Sequence, residues 1–169
     1  ILFVSHLGSQ GGADRSLVSL AGALSRSGRY EPAVLVPKHG PMTDTLRSMG
    51  IRVIVHPFRF WTHPRREPPA VLGRMLANVR AMLALTGPVR DFGPDLVYSN
   101  SLVTPVGIML ALRLGVPHVM HIREFVQEDL SHYYDLGRRW TLALVRRSSR
   151  AVICNSRAVG DKFEPLLHG

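Results

Sequence analysis

Cysteine is almost missing. The 169-residue chain holds a single one, Cys154, so no internal disulfide forms and no oxidising compartment is implied. Long hydrophobic runs are missing as well. The longest, residues 102–112, carries Thr104 and Pro105 and stops at Arg113, too short to cross a bilayer. Acidic residues are scarce, 12 Asp and Glu against 21 Lys and Arg, for a formal charge of +9. No charged segment precedes Ile1-Leu2-Phe3-Val4-Ser5, so no secretory leader is read there. The familiar nucleotide loops are absent too. Gly8, Gly11 and Gly12 do not match G-x-G-x-x-G, no G-K-[ST] occurs, and Pro37-Lys38 stands where a dinucleotide site places an acid. Without H-E-x-x-H, and with one cysteine, the chain offers no zinc signature.

What is present is core material: 46% hydrophobic residues against 20% charged, which excludes disorder and suffices for one domain. The basic excess suits nucleic acid, an anionic membrane or a phosphorylated ligand, and by itself favours none of them. The start on an apolar run without Met, and the end at His168-Gly169, fit a chain excised from something longer.

Short apolar runs at residues 1–5, 32–36, 52–55, 96–99, 118–122 and 151–155 read as strands buried on both faces. Helical patterns lie between them. Leu17, Leu20, Ala21 and Leu24 recur at helical spacing before Gly28, and Val71, Leu72, Met75, Leu76, Val79, Met82 and Leu83 form a second stripe. Residues 104–114, 130–147 and 157–167 are weaker helical candidates. The alternation predicts an α/β fold, a Rossmann-like parallel sheet with helices on both faces. Residues 56–69 (HPFRFWTHPRREPP) hold four prolines, three arginines and three aromatics. They read as a long loop feeding a helix over residues 70–85.

In such sheets ligands bind beyond the carboxyl ends of the strands. After the first strand, Gly11 and Gly12 lead into a helix beginning near Arg15, where backbone amides accept an anion or a sugar hydroxyl. The plain alternative is a turn needing positive φ. Asn100-Ser101, His121 with Arg123 and Glu124, and Asn155-Ser156 end three further strands at the same rim; each alone reads as a helix cap, and their convergence favours a site. His118 and His121, three apart on a strand, point to opposite faces and make no metal pair.

GGADRS after the first strand, then PDLVYSNS, GVPHVMHIREF and SSRAVICNSRAV, in that order, resemble the N-terminal domain of family-4-type retaining glycosyltransferases with the GT-B fold. The family has Glu where Asp14 stands. The resemblance implies an acceptor-side domain over residues 1–169, with the nucleotide-sugar donor held by a C-terminal domain not found in this chain. It also implies no metal and no cofactor beyond the donor, and little activity from this domain alone. Gly11 and Gly12 would lie near the donor diphosphate and the acceptor, and His121 would be the catalytic-site histidine contacting the transferred sugar. Arg15, Asn100, Ser101, Arg123, Glu124, Asn155 and Ser156 are the substrate-binding candidates.

The acceptor expected is a sugar or a lipid-linked sugar. Arg59, Trp61, Arg65 and Arg66 mix cations with an aromatic ring and are candidates for touching it or an anionic membrane. The expected location is cytoplasmic and peripheral on the inner membrane face. Two other readings stand beside this one. A nucleotide-sugar 2-epimerase shares the architecture but wants more acid-base groups than Glu124 and His121. A non-catalytic anionic-ligand module would use the charge alone. Nucleic acid is not expected, because the basic residues are spread over several segments.

Overall fold

The six apolar runs become six parallel strands of one sheet. The computed structural model describes residues 1–6, 11–65, 67–126, 128 and 131–167. The strands β1 (Leu2–Val4), β2 (Ala33–Val36), β3 (Arg52–Val55), β5 (Val97–Ser99), β6 (His118–Ile122) and β8 (Ala151–Cys154) lie in the order β3-β2-β1-β5-β6-β8. In register, Leu2 pairs Ala33 on one side and Val97 on the other, and His121 pairs Ile153. The chain builds outward from β1 to β3, then returns to lay β5 beside β1. That reversal puts a topological switch point between the carboxyl ends of β1 and β5.

Two faces are packed differently. Helices α1 (Gly12–Arg26) and α2 (Pro41–Ser48) cover one, with Leu17, Ala21 and Leu46 against Phe3, Val34 and Val36. Helices α3 (Pro68–Phe92) and α4 (Val106–Leu114) cover the other, with Ala81, Leu85 and Leu110 against Leu2, Val4 and Leu35. Beyond them, α5 (Arg138–Ser148) and α6 (Arg157–Leu167) supply Leu142, Val145 and Phe163 to a cluster around Met120 and Ile122. Each such fully buried side chain contributes about 1.5–3 kcal/mol. Gly107 lets α4 lie close on β5, since a Cβ there would strike the Ser99 hydroxyl and touch Val4.

Several expectations are corrected. The edge strands β3 and β8 are partly exposed, so they are not buried on both faces. The helix expected over 130–147 begins at Arg138, and Tyr133–Tyr134 before it form β7. Residues 41–48, given no element in advance, form α2 with a proline in the first turn. Helix α3 runs on to Phe92 and stops at Gly93, whose φ of 66° closes the helix in the left-handed region. Residues 56–69 are no loose loop. Thr62–His63 form β4, which pairs antiparallel with β7, and Trp61 N–H bonds the Val103 carbonyl at 3.0 Å.

The apolar stripe of α3 faces away from the sheet. Its buried positions are Asn78, Ala81, Leu85, Thr86 and Val89, while Leu72, Met75, Leu76, Val79 and Leu83 are exposed. On α5, Trp140 is 74% exposed and Leu144 lies open as well.

Candidate substrate-binding crevice

The switch point gathers β1, β5, β6 and the start of α1. Ser5, fully buried at the end of β1, donates its hydroxyl to Asp14 Oδ1 at 2.9 Å. This bond fixes the first turn of α1 against the strand end. Gly11 sits at φ −63°, ψ 168°, and Gly12 is not among the positive-φ glycines. A Cβ on Gly12 would meet nothing within 4 Å. Neither turn strain nor crowding within the domain therefore requires that glycine. A bare backbone at a helix start leaves its amides open to approach.

Across the crevice, the buried Asn100 donates to the Ala13 carbonyl (3.2 Å) and accepts from Arg123 Nε (3.0 Å). Arg123 also reaches Ser16 Oγ at 3.1 Å, and its carbonyl accepts from Asn155 Nδ2 at 3.1 Å. One guanidinium thus ties β5, β6 and α1 together and brings a positive charge to the crevice.

Two histidines frame it. His6, directly after β1, packs against Phe60 with ring centroids 5.9 Å apart, and its Nδ1 is buried without a hydrogen-bond partner. Desolvation lowers its pKa, with Asp14 opposing and Arg123 assisting. His121 points onto the opposite sheet face from His118, as its strand position predicts. Its Nδ1 lies 2.6 Å from the Tyr98 hydroxyl, edge-on to that ring, and its Nε2 is buried without a partner. Desolvation, then Arg123, lowers its pKa to about 4, so the ring is neutral at pH 7. His121 is the penultimate residue of β6, one step short of the rim where it was expected.

Other predicted residues take quieter places. Ser101 and the Leu102 N–H both bond Glu124 Oε1, the latter at 2.8 Å, so Ser101 and Glu124 clasp one another and the β5 loop. Burial raises the Glu124 pKa despite those bonds. Ser156 caps α6 through the Val159 N–H at 3.3 Å, the plain reading of that position. Arg15 is exposed on α1. Trp61 is 5% exposed and donates Nε1–H to the Leu102 carbonyl at 2.6 Å, so most of its ring lies in the core. Arg59 and Arg65 are exposed, and Arg66 lies outside the described residues. His6 and Tyr98 were not singled out. For His6 the signal was available, because it immediately follows the first strand at the rim.

A family model described as a glycosyl transferase 4-like domain matches residues 11–166. Among solved structures, Alr3699/HepE from Anabaena in complex with UDP and glucose is similar over 98% of this chain and 40% of that one, at 23% identity and a TM-score of 0.67. MurG from Acinetobacter baumannii is similar over 90% of this chain and 40% of that one, at 16% identity and a TM-score of 0.60. A UDP-GlcNAc 2-epimerase from Neisseria meningitidis bound to UDP-GlcNAc is similar over 98% and 43%, at 14% identity and a TM-score of 0.59. At these identities the likeness establishes the fold, the Rossmann-like N-terminal half of a GT-B architecture. The chain spans about two fifths of the length of these structures. No curated protein matches.

Proposed function

Because the chain belongs to the glycosyl transferase 4-like domain family, we propose that it forms the acceptor-side half of a retaining enzyme moving a sugar from a nucleotide-sugar to an acceptor. The donor would be held chiefly by a second domain, without which this half turns over little. The observation that carries the reading is the switch-point crevice, where Gly12 stands open and unstrained and where His6 and His121 are neutral with unpartnered nitrogens. Gly11 and Gly12 would let the donor diphosphate approach the first turn of α1, whose amides and dipole favour an anion. Arg123, held by Asn100 and Ser16, would offset the charge that gathers on the leaving diphosphate. His121, kept neutral and oriented by Tyr98, would hydrogen-bond the transferred sugar rather than act as an acid. The chemistry asks for no cofactor or metal beyond the donor itself.

The experiment is product analysis after incubating the complete protein with UDP-sugars, with and without candidate acceptors. Sugar transfer to an acceptor supports the reading. Conversion of UDP-GlcNAc to its 2-epimer without acceptor would replace it with the epimerase that shares this fold.

Peripheral membrane attachment has its own observation: the outward apolar stripe of α3 with Trp140 and Leu144 of α5. Exposed Arg80, Arg139, Arg146 and Arg147 on the same helices add the cations that anionic headgroups attract. Cosedimentation with anionic vesicles tests it. Loss of binding in Leu72→Ser/Leu76→Ser supports attachment through this face, and absence of any wild-type binding removes it.

A further inference from the structure

His6 has no assigned work in the fold, and its surroundings aim it at a ligand. It stands two residues past β1 at the switch point, and its Nδ1 is buried with no hydrogen-bond partner among the described residues. Buried polar atoms in folded chains are almost always paired. Replacing an unpartnered one by an apolar group of similar shape is neutral or stabilising, so packing alone does not call for a histidine here. The Phe60 ring packs on the imidazole with centroids 5.9 Å apart and planes tilted by 54°. Phe60 is itself packed against the cluster of Trp61, Leu102 and Val103. The imidazole is therefore held by a packed neighbour while one of its nitrogens stays unused.

Side chains alternate between faces along a strand. Leu2 and Val4 pack toward α3 and α4, and Phe3 packs toward α1. His6 continues the first set past the strand end and meets Phe60, from the segment whose Phe58 lies in the α3–α4 cluster. His121 belongs to the other face, edge-on to Tyr98, whose ring packs on Phe3 at 5.1 Å. Since β5 lies between β1 and β6, the two histidines stand two strand spacings apart along the rim, roughly 10 Å. The α1 side thus carries Gly12 and His121, and the α3 side carries His6. Burial, the largest effect, lowers the His6 pKa, with Asp14 opposing and Arg123 assisting, so the ring is neutral at pH 7. A neutral imidazole has one donor nitrogen and one acceptor nitrogen. A hydroxyl, which both donates and accepts, satisfies Nδ1 in either tautomer, whereas an anion satisfies it in only one.

We propose that His6 Nδ1 hydrogen-bonds a hydroxyl of the acceptor, on the side of the crevice away from His121, and that Phe60 positions its ring for this. The contact orients the acceptor and exchanges no proton with it. It rests on the transferase reading for the word acceptor. The complete protein is compared with its His6→Phe, His6→Asn and His6→Gln variants. His6→Phe is expected to melt at the wild-type temperature or about 2–4 °C above it, because an unpartnered polar atom is gone. A Tm lowered by that amount or more makes His6 a structural residue and overturns the proposal. In sugar transfer, His6→Phe raises the acceptor KM about tenfold, the worth of one hydrogen bond. Hydrolysis of UDP-glucose without acceptor stays within about twofold of wild type. His6→Asn, whose amide falls where Nδ1 stood, recovers most of the lost KM, and His6→Gln, which reaches the Nε2 position, does not. Equal loss of hydrolysis and transfer puts His6 on the donor and overturns the assignment, as does recovery by Gln in place of Asn. The melting comparison needs no acceptor. A protein that transfers nothing therefore fails the transferase reading, while Tm still upholds or overturns the ligand role of Nδ1.

Discussion

Arg123 Nε donates to Asn100 Oδ1 at 3.0 Å across the carboxyl ends of β6 and β5, and the same guanidinium holds Ser16 of α1 at 3.1 Å. The bond does two jobs. It satisfies a fully buried amide, and it fixes a positive charge where the sheet changes direction. Asn100→Ala removes the acceptor for Arg123 and the donor to the Ala13 carbonyl. It is expected to cost about 1–3 kcal/mol, read as a lower denaturant midpoint at unchanged m-value. Arg123→Lys keeps the charge but not the fork, so it should lower kcat/KM with a smaller loss of stability.

His118 makes the fold sensitive to acid. Its ring is held by Ser99 Oγ at Nε2 and Ser149 Oγ at Nδ1, each at 2.8 Å, and burial lowers its pKa to about 4. The unfolded chain titrates near 6.5, so between those two pH values it binds a proton the folded chain does not. Stability is therefore fully present above about pH 6.5 and is lost as pH falls toward 4, by about 3 kcal/mol from this group. Urea titrations at pH 7, 5 and 4 should show that loss, and His118→Gln should reduce it. Equal acid sensitivity in both proteins contradicts the assignment.

His121 should behave as a neutral hydrogen-bonding group. His121→Ala is expected to lower kcat on the order of a hundredfold, as removal of one transition-state contact does. Since its pKa stands at about 4, the wild-type kcat should show no inflection near pH 6.5 that disappears in the variant. An inflection of that kind would make His121 a titrating acid-base group instead.

Trp61 and Leu72 should part company. Trp61→Phe leaves the buried Leu102 carbonyl without its donor and should cost about 1–3 kcal/mol with vesicle binding unchanged. Leu72→Ser should do the reverse, near-neutral for stability and weaker on vesicles.

These residues mark where sequence reading reached and where it stopped. The strands were legible because parallel strands covered on their faces are nearly continuous apolar runs, as at residues 33–36 and 118–122. The rim glycines were legible from their place after β1. The direction of the α3 stripe was not: periodicity shows that Leu72, Leu76, Val79 and Leu83 share one side, not whether that side meets the sheet. Residues 56–69 read as a loop for a related reason. Trp61 is drawn inward by the Val103 and Leu102 carbonyls, some forty residues away, and β4 exists only because Tyr133–Tyr134 pairs with it. The bond between Ser101 and Glu124 was not legible, because it joins two loops that composition cannot bring together.

The most direct test of the crevice is Gly12→Val in the complete enzyme, with thermal unfolding and sugar transfer measured on the same preparation. The open space around that position predicts a Tm within a few degrees of wild type, about 1 kcal/mol or less, together with transfer reduced by at least an order of magnitude through obstructed ligand approach. Transfer retained at the wild-type rate, or lost only in step with unfolding, would contradict a ligand lying against the first turn of α1.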